Sequence, residues 1–128
     1  MEKYKETAFL LLGGNVGEVD NTFLKVKERL INKNLVLVNT SGIYKTQAWG
    51  MAQNSPEFLN QALEVHTGLS PQALLKVLLE IEEDLGRTRE MGNESYANRE
   101  IDIDILIYGN RVINDANLQI PHPRISER

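Results

Sequence analysis

A chain of 128 residues with 41% hydrophobic and 25% charged residues has the size and composition of one globular domain around a single core. Its formal net charge of −4 leaves no overall basic field to attract nucleic acid, so an anionic ligand must meet local arginines or a bound cation. Cysteine is absent, which excludes disulfides, thiol nucleophiles and thiolate metal sites and fits a reducing cytoplasm.

Residues 8–12, Ala-Phe-Leu-Leu-Leu, are an apolar run too short for a signal-peptide core or a membrane span. They suit a short buried strand, stopped by Gly13-Gly14-Asn15 and Gly17. From Val19 to Ile31 the apolar positions Val19, Phe23, Val26, Leu30 and Ile31 follow helical spacing. A β-branched stretch from Leu35 to about Tyr44 predicts a strand, and Phe58 to Thr67 predicts another after a loop over 46–56. Ser70 as N-cap, Pro71 at the first helical position and Gly86 as a stop bracket a second helix with the stripe Leu74, Leu75, Leu78, Ile81 and Leu85. Residues 87–99 form a long polar loop without apolar period, the kind that serves as a lid. A strand over 101–108 follows, and Gly109-Asn110 predicts a tight hairpin into Arg111–Ile113. The order β-α-β-β-α-β predicts an α+β, ferredoxin-like fold with an antiparallel sheet and its helices on one face.

The strand 101–108, Ile-Asp-Ile-Asp-Ile-Leu-Ile-Tyr, carries the most specific chemistry. Successive strand residues point to opposite faces, so Asp102 and Asp104 leave one face while Ile101, Ile103 and Ile105 leave the other. Two neighbouring carboxylates repel unless a cation neutralises them. Mg²⁺ is the natural partner, because it binds one or two carboxylates together with substrate phosphates. Arg87, Arg89 and Arg99 precede the pair and supply donors for a polyphosphate. Metal-assisted phosphoryl chemistry follows as the first hypothesis, with solvated carboxylates on an edge strand as the plain alternative.

Other residues speak less loudly. Gly13–Gly17 lacks the Lys-Ser/Thr of a P-loop and the spacing of a dinucleotide fingerprint, so a plain turn is the better reading. Trp49, Phe58 and Asn60 suggest a slot for a flat ring, with aromatics to stack and an amide for its edge, although a core Phe58 and a loop-anchoring Trp49 explain them equally well. His122, held between Pro121 and Pro123, is placed to donate to a phosphate, whereas His66 reads as an ordinary strand residue. Glu82, near the end of the second helix, is a candidate acidic helper, although periodicity alone favours a surface residue.

Taken together, these residues resemble the 6-hydroxymethyl-7,8-dihydropterin pyrophosphokinase family. Its signature Arg-x-hydrophobic-Asp-hydrophobic-Asp-hydrophobic appears as Arg99-Glu-Ile-Asp-Ile-Asp-Ile105, and its Gly-Ser-Asn turn as Gly13-Gly14-Asn15. Tyr44-Lys-Thr46 with Trp49-Gly50 and Phe58-Leu59-Asn60 resemble its pterin loop and following strand. Ile81-Glu82 to Gly86-Arg87-Thr88-Arg89, Gly109–Ile113 and Ile120-Pro121-His122-Pro123-Arg124 complete a likeness spanning the whole chain in order. The resemblance implies transfer of the β,γ-pyrophosphoryl group of ATP to a dihydropterin alcohol, leaving AMP, in folate biosynthesis. It implies two Mg²⁺ ions on Asp102 and Asp104, and phosphate contacts from Arg89 and Arg99, with Arg87 in the same segment. Glu82 and His122 would also line the nucleotide site, and Thr46, Trp49, Phe58 and Asn60 would hold the pterin. Loops 13–19, 46–56 and 87–98 would close over the substrates and exclude water.

Three departures accompany the likeness. Tyr96-Ala97-Asn98 precedes Arg99 where the family has Trp-Gly-Pro/Ala, and Thr46-Gln47-Ala48-Trp49 lacks a common proline. The family also continues past the position of Arg128 with a strand whose phenylalanine stacks on the pterin, so this single domain is expected to lack that segment. A cytoplasmic monomer without nucleic-acid or membrane partners completes the expectation. Two rival readings are a non-catalytic ferredoxin-like ligand-binding module and an inactive truncated pyrophosphokinase. An RNA-binding module is disfavoured by 6% aromatics and a pI near 5.2.

Overall fold

The computed structural model describes residues 6–14, 19–46, 58–86 and 101–123. In chain order these are β1 (Glu6–Gly14), α1 (Val19–Asn32), β2 (Val36–Thr40), β3 (Tyr44–Thr46), β4 (Phe58–Thr67), α2 (Pro71–Gly86), β5 (Asp102–Tyr108), β6 (Ile113–Asn114) and β7 (Gln119–Ile120). The main sheet runs β2-β4-β1-β5 with β3 also on β4, and every pairing is antiparallel. β2 and β3 lie along the same partner, so together they act as one strand broken at Ser41–Ile43. With that merger the order is the β-α-β-β-α-β of a ferredoxin-like α+β fold.

Both helices begin and end where local chemistry dictates. The Ala73 N–H donates to Ser70 Oγ at 3.1 Å, which caps α2. At the other helix, Leu35 N–H reaches the Leu30 carbonyl (3.2 Å) and Asn34 N–H the Ile31 carbonyl (3.0 Å). Asn34 has φ of 70°, so α1 closes in a Schellman motif with asparagine in the left-handed position. Phe23, Val26 and Leu30 of α1 and Leu74, Leu78 and Ile81 of α2 bury one stripe each against Leu10, Leu12, Leu63, Val65, Ile103 and Ile105. The helices lie side by side: Arg29 Nη1 meets Asp84 Oδ2 at 2.9 Å and Lys33 Nζ meets Glu80 Oε1 at 3.7 Å. These exposed pairs mark the helix neighbourhood but add little stability. One sheet face is thus covered by helices. None of the described helices is long and apolar enough to cross a membrane.

The register of β5 on β1 contains one irregularity. Leu10 pairs with Ile105 but Phe9 pairs with Ile107, so Leu106 is an extra residue in the ladder. The bulge inverts the alternation: Ile101, Ile103 and Ile105 face the core before it, and Tyr108 faces the core after it. Without this shift the Tyr108 side chain would stand on the opposite face, away from the Leu69 carbonyl that its hydroxyl meets.

The expected hairpin after Gly109-Asn110 does not form. The turn itself is present, with Gly109 at φ 52° and Arg111 N–H on the Tyr108 carbonyl at 2.9 Å. Beyond it, β6 pairs with β7 in a separate ribbon rather than folding back on β5. The outer edge of β5 is already engaged, because His122 N–H donates to the Leu106 carbonyl at 2.9 Å. Leu118 and Ile120 give the ribbon its own anchors in the core, at 8% and 1% exposure.

Candidate active site

The sheet face away from the helices is built in cross-strand rows. Gly13 pairs with Asp102 on one side and with Asn60 on the other, and Asn60 pairs with Tyr44. Side chains directly opposite share a face, so Asp102, the bare Cα of Gly13 and Asn60 form one row. In the next row Leu11 pairs with Asp104 and with Ala62. Asp102 and Asp104 therefore project from the same face, half-buried, while Ile103 between them lies in the core.

Asn60 stands two strands from Asp102, roughly 10 Å at ordinary strand spacing. Only glycine occupies the position between them. A Cβ on Gly13 would sit 3.5 Å from Asn60 Oδ1 and 3.8 Å from Phe58 Cδ2, so ring and amide both border this gap. Asn60 Nδ2 donates to Thr46 Oγ1 at 2.9 Å, and Thr46 is the ladder partner of Phe58. The structure thus brings Thr46, Phe58 and Asn60 together. Asn60 is buried at 5% exposure, and its amide is satisfied by the bond to Thr46.

On the acidic edge, His122 Nε2 lies 3.9 Å from Asp104 Oδ2, with side chains 19% and 36% exposed. The backbone bond from His122 to Leu106 holds the imidazole beside Asp104, next to the bulge. Glu82 is not simply a surface residue. Its Oε2 accepts the Ile103 N–H at 2.7 Å, between the two aspartates. Arg87, Arg89, Arg99 and Trp49 fall outside the described residues.

The donor set suits a hard divalent cation. Two half-buried carboxylates share one strand face, and among the described residues no group of three or more His, Cys, Asp or Glu side chains forms a closed cage. Mg²⁺ is held in this open way, by one or two carboxylates with waters and substrate phosphates filling its remaining positions. Two of the site's parts leave no local mark in the sequence. Gly13 read as a turn residue, because nothing in a glycine reveals what lies beside it. The Glu82–Ile103 bond joins a helix to a strand across a loop and leaves no periodic trace.

Residues 9–128 match the profile of a family described as 7,8-dihydro-6-hydroxymethylpterin-pyrophosphokinase. A 2-amino-4-hydroxy-6-hydroxymethyldihydropteridine pyrophosphokinase of Aquifex aeolicus is 38% identical over 122 residues, 95% of this chain and 73% of that protein. A Bacillus subtilis protein of the same name is 37% identical over 123 residues, 94% of this chain and 71% of its own length. A Pisum sativum protein named as mitochondrial and bifunctional in folate synthesis is 35% identical over 123 residues, 96% of this chain and 23% of its own length.

Proposed function

The chain belongs to the 7,8-dihydro-6-hydroxymethylpterin-pyrophosphokinase family, and we propose that it transfers pyrophosphate from ATP to 6-hydroxymethyl-7,8-dihydropterin in folate biosynthesis. The hydroxymethyl oxygen attacks the β-phosphorus, the bond from that phosphorus to the α-phosphate oxygen breaks, and AMP leaves. The hydroxyl proton is released as the new ester bond forms. The observation that carries this reading is the row Asp102–Gly13–Asn60: a carboxylate for the phosphate side and a buried amide for the pterin side, separated by a residue without a side chain.

In this reading Asp102 and Asp104 hold two Mg²⁺ ions, which when bound offset phosphate charge and polarise the oxygens in flight. Arg87, Arg89 and Arg99 bind the phosphates as planar donors. His122 and Glu82 border the nucleotide side, the imidazole beside Asp104 and the carboxylate behind the strand. Thr46 fixes the Asn60 amide, Asn60 pairs with the pterin edge, and Phe58 and Trp49 contact its ring. Catalysis then rests on positioning and charge neutralisation, since phosphoryl transfer asks little covalent chemistry of the protein. The reading places a cytoplasmic monomer in the cell, in keeping with the cysteine-free sequence.

The direct test mixes the protein with ATP, Mg²⁺ and 6-hydroxymethyl-7,8-dihydropterin and follows AMP. Pterin-dependent AMP is the expected result. No AMP above the ATP-only control overturns the assignment.

A further inference from the structure

We propose that Glu82 is a positioning residue for the acidic pair, acting through the backbone of Ile103 rather than through its charge. The inference rests on the reading of Asp102 and Asp104 as the metal-holding pair. Among the described residues β5 closes one side of the main sheet, with β1 as its ladder partner there. In an antiparallel ladder alternate residues turn their N–H and C=O toward a given neighbour. Ile103 gives its N–H to Glu82, so it is turned away from β1. That N–H belongs to the peptide linking Asp102 to Ile103, and fixing its plane fixes the backbone torsion that aims the Asp102 side chain.

The helix is a rigid support for this bond. Ile81, one residue before Glu82, is 1% exposed in the core, and Ile103 packs into the same core at 4% exposure. At 2.7 Å the bond is at the short end of ordinary N–H···O distances, so the acceptor is closely seated on the Ile103 amide. A free strand edge beside two metal-holding residues would leave their spacing to fluctuate, and metal sites tolerate little looseness.

The test titrates Mn²⁺ alone into the protein, follows free ion by electron paramagnetic resonance, and reads amide hydrogen exchange at Ile103 by NMR. Glu82→Gln keeps an acceptor and removes the charge, and Glu82→Ala removes both. Glu82→Ala should weaken Mn²⁺ binding at least fivefold and speed exchange at Ile103, whereas Glu82→Gln should stay within threefold with exchange still slow. Glu82→Gln as weak as Glu82→Ala overturns the proposal in favour of charge. Parent-like Mn²⁺ binding by Glu82→Ala, while Asp102→Asn loses it, overturns the proposal and leaves the acidic pair standing. Parent-like binding by Asp102→Asn removes the pair and the proposal with it. Should Glu82→Ala not fold, the parent decides: an Ile103 amide that exchanges as fast as an unprotected one overturns the proposal.

Discussion

Asn60 and Thr46 are joined across the β3–β4 pair by a 2.9 Å hydrogen bond from Nδ2 to Oγ1. The bond occupies one amide hydrogen and fixes the plane of the side chain. Asn60 Oδ1 then lies toward Gly13, 3.5 Å from where a Cβ would stand.

Asn60→Ala should therefore raise the KM for the pterin at least tenfold while the KM for ATP moves less than threefold. Losing a hydrogen bond in a buried slot costs about 1–2 kcal/mol, which corresponds to roughly that factor. Thr46→Val leaves the amide in place but unfixed and should show a smaller effect in the same direction. Steady-state kinetics with each substrate varied in turn check both, and equal changes in the two KM values would contradict the separation of the slots.

Gly13 offers a graded test of the same gap. A methyl group meets its neighbours at 3.5–3.9 Å, ordinary contact distances, so Gly13→Ala should fold and retain most pterin binding. Gly13→Val extends a branched side chain over the row and should abolish pterin binding while leaving the binding of ATP with Mg²⁺ within a few-fold of the parent. Calorimetric titration of each ligand separates the two. Full pterin affinity in Gly13→Val would show that the gap is not the ring's seat.

Removing either acid should be far more damaging to turnover than to folding. Asp102→Asn and Asp104→Asn are expected to lower the rate of AMP formation by about 10²–10³, the effect of losing several kcal/mol of charge stabilisation in the transition state. Their thermal midpoints should equal or exceed that of the parent, because each substitution relieves repulsion between neighbouring carboxylates. Quenched-flow assays and calorimetric melting measure the two quantities independently.

Tyr108 gives a pH-dependent prediction outside the site. Its pKa is raised above the ordinary 10.0, first by burial and then by the Glu6 carboxylate, with the Arg111 guanidinium opposing. The folded state therefore holds the phenol proton to higher pH than the unfolded chain does. That contribution is fully present below pH 10 and is lost as pH climbs through the raised value. Tyr108→Phe should lower stability at pH 7 by about 1–2 kcal/mol, since the Leu69 carbonyl loses its donor. It should also remove the alkaline part of the loss. Urea denaturation at pH 7 and at pH 10.5 checks both signs.

Local signals explain which parts were legible beforehand. The Ser70 cap, Pro71 and the Leu74–Ile81 stripe located α2 because each acts within a turn or two of itself. The Phe58–Thr67 strand came out with its full bounds for the same reason, and the alternation through Ile105 placed both aspartates on one face. What escaped depends on partners distant in sequence. The bulge is invisible in Ile105-Leu106-Ile107, where three apolar residues in a row hide a change of phase. The β6–β7 ribbon was missed because pairing of Ile113 with Ile120 competes with a hairpin that Gly109-Asn110 favours, and the occupied edge of β5 decides the contest.

The extra residue at Leu106 makes β5 two half-strands of opposite parity joined at a single position. Its first half sets Asp102 and Asp104 on the face away from the helices, and its second half seats Tyr108 in the core. A single-residue deletion at the join would swap those duties for everything downstream, turning a core tyrosine outward in one step. Substitutions confined to either half carry no such penalty. The strand therefore changes phase at one backbone position, and the two faces of β5 trade places there.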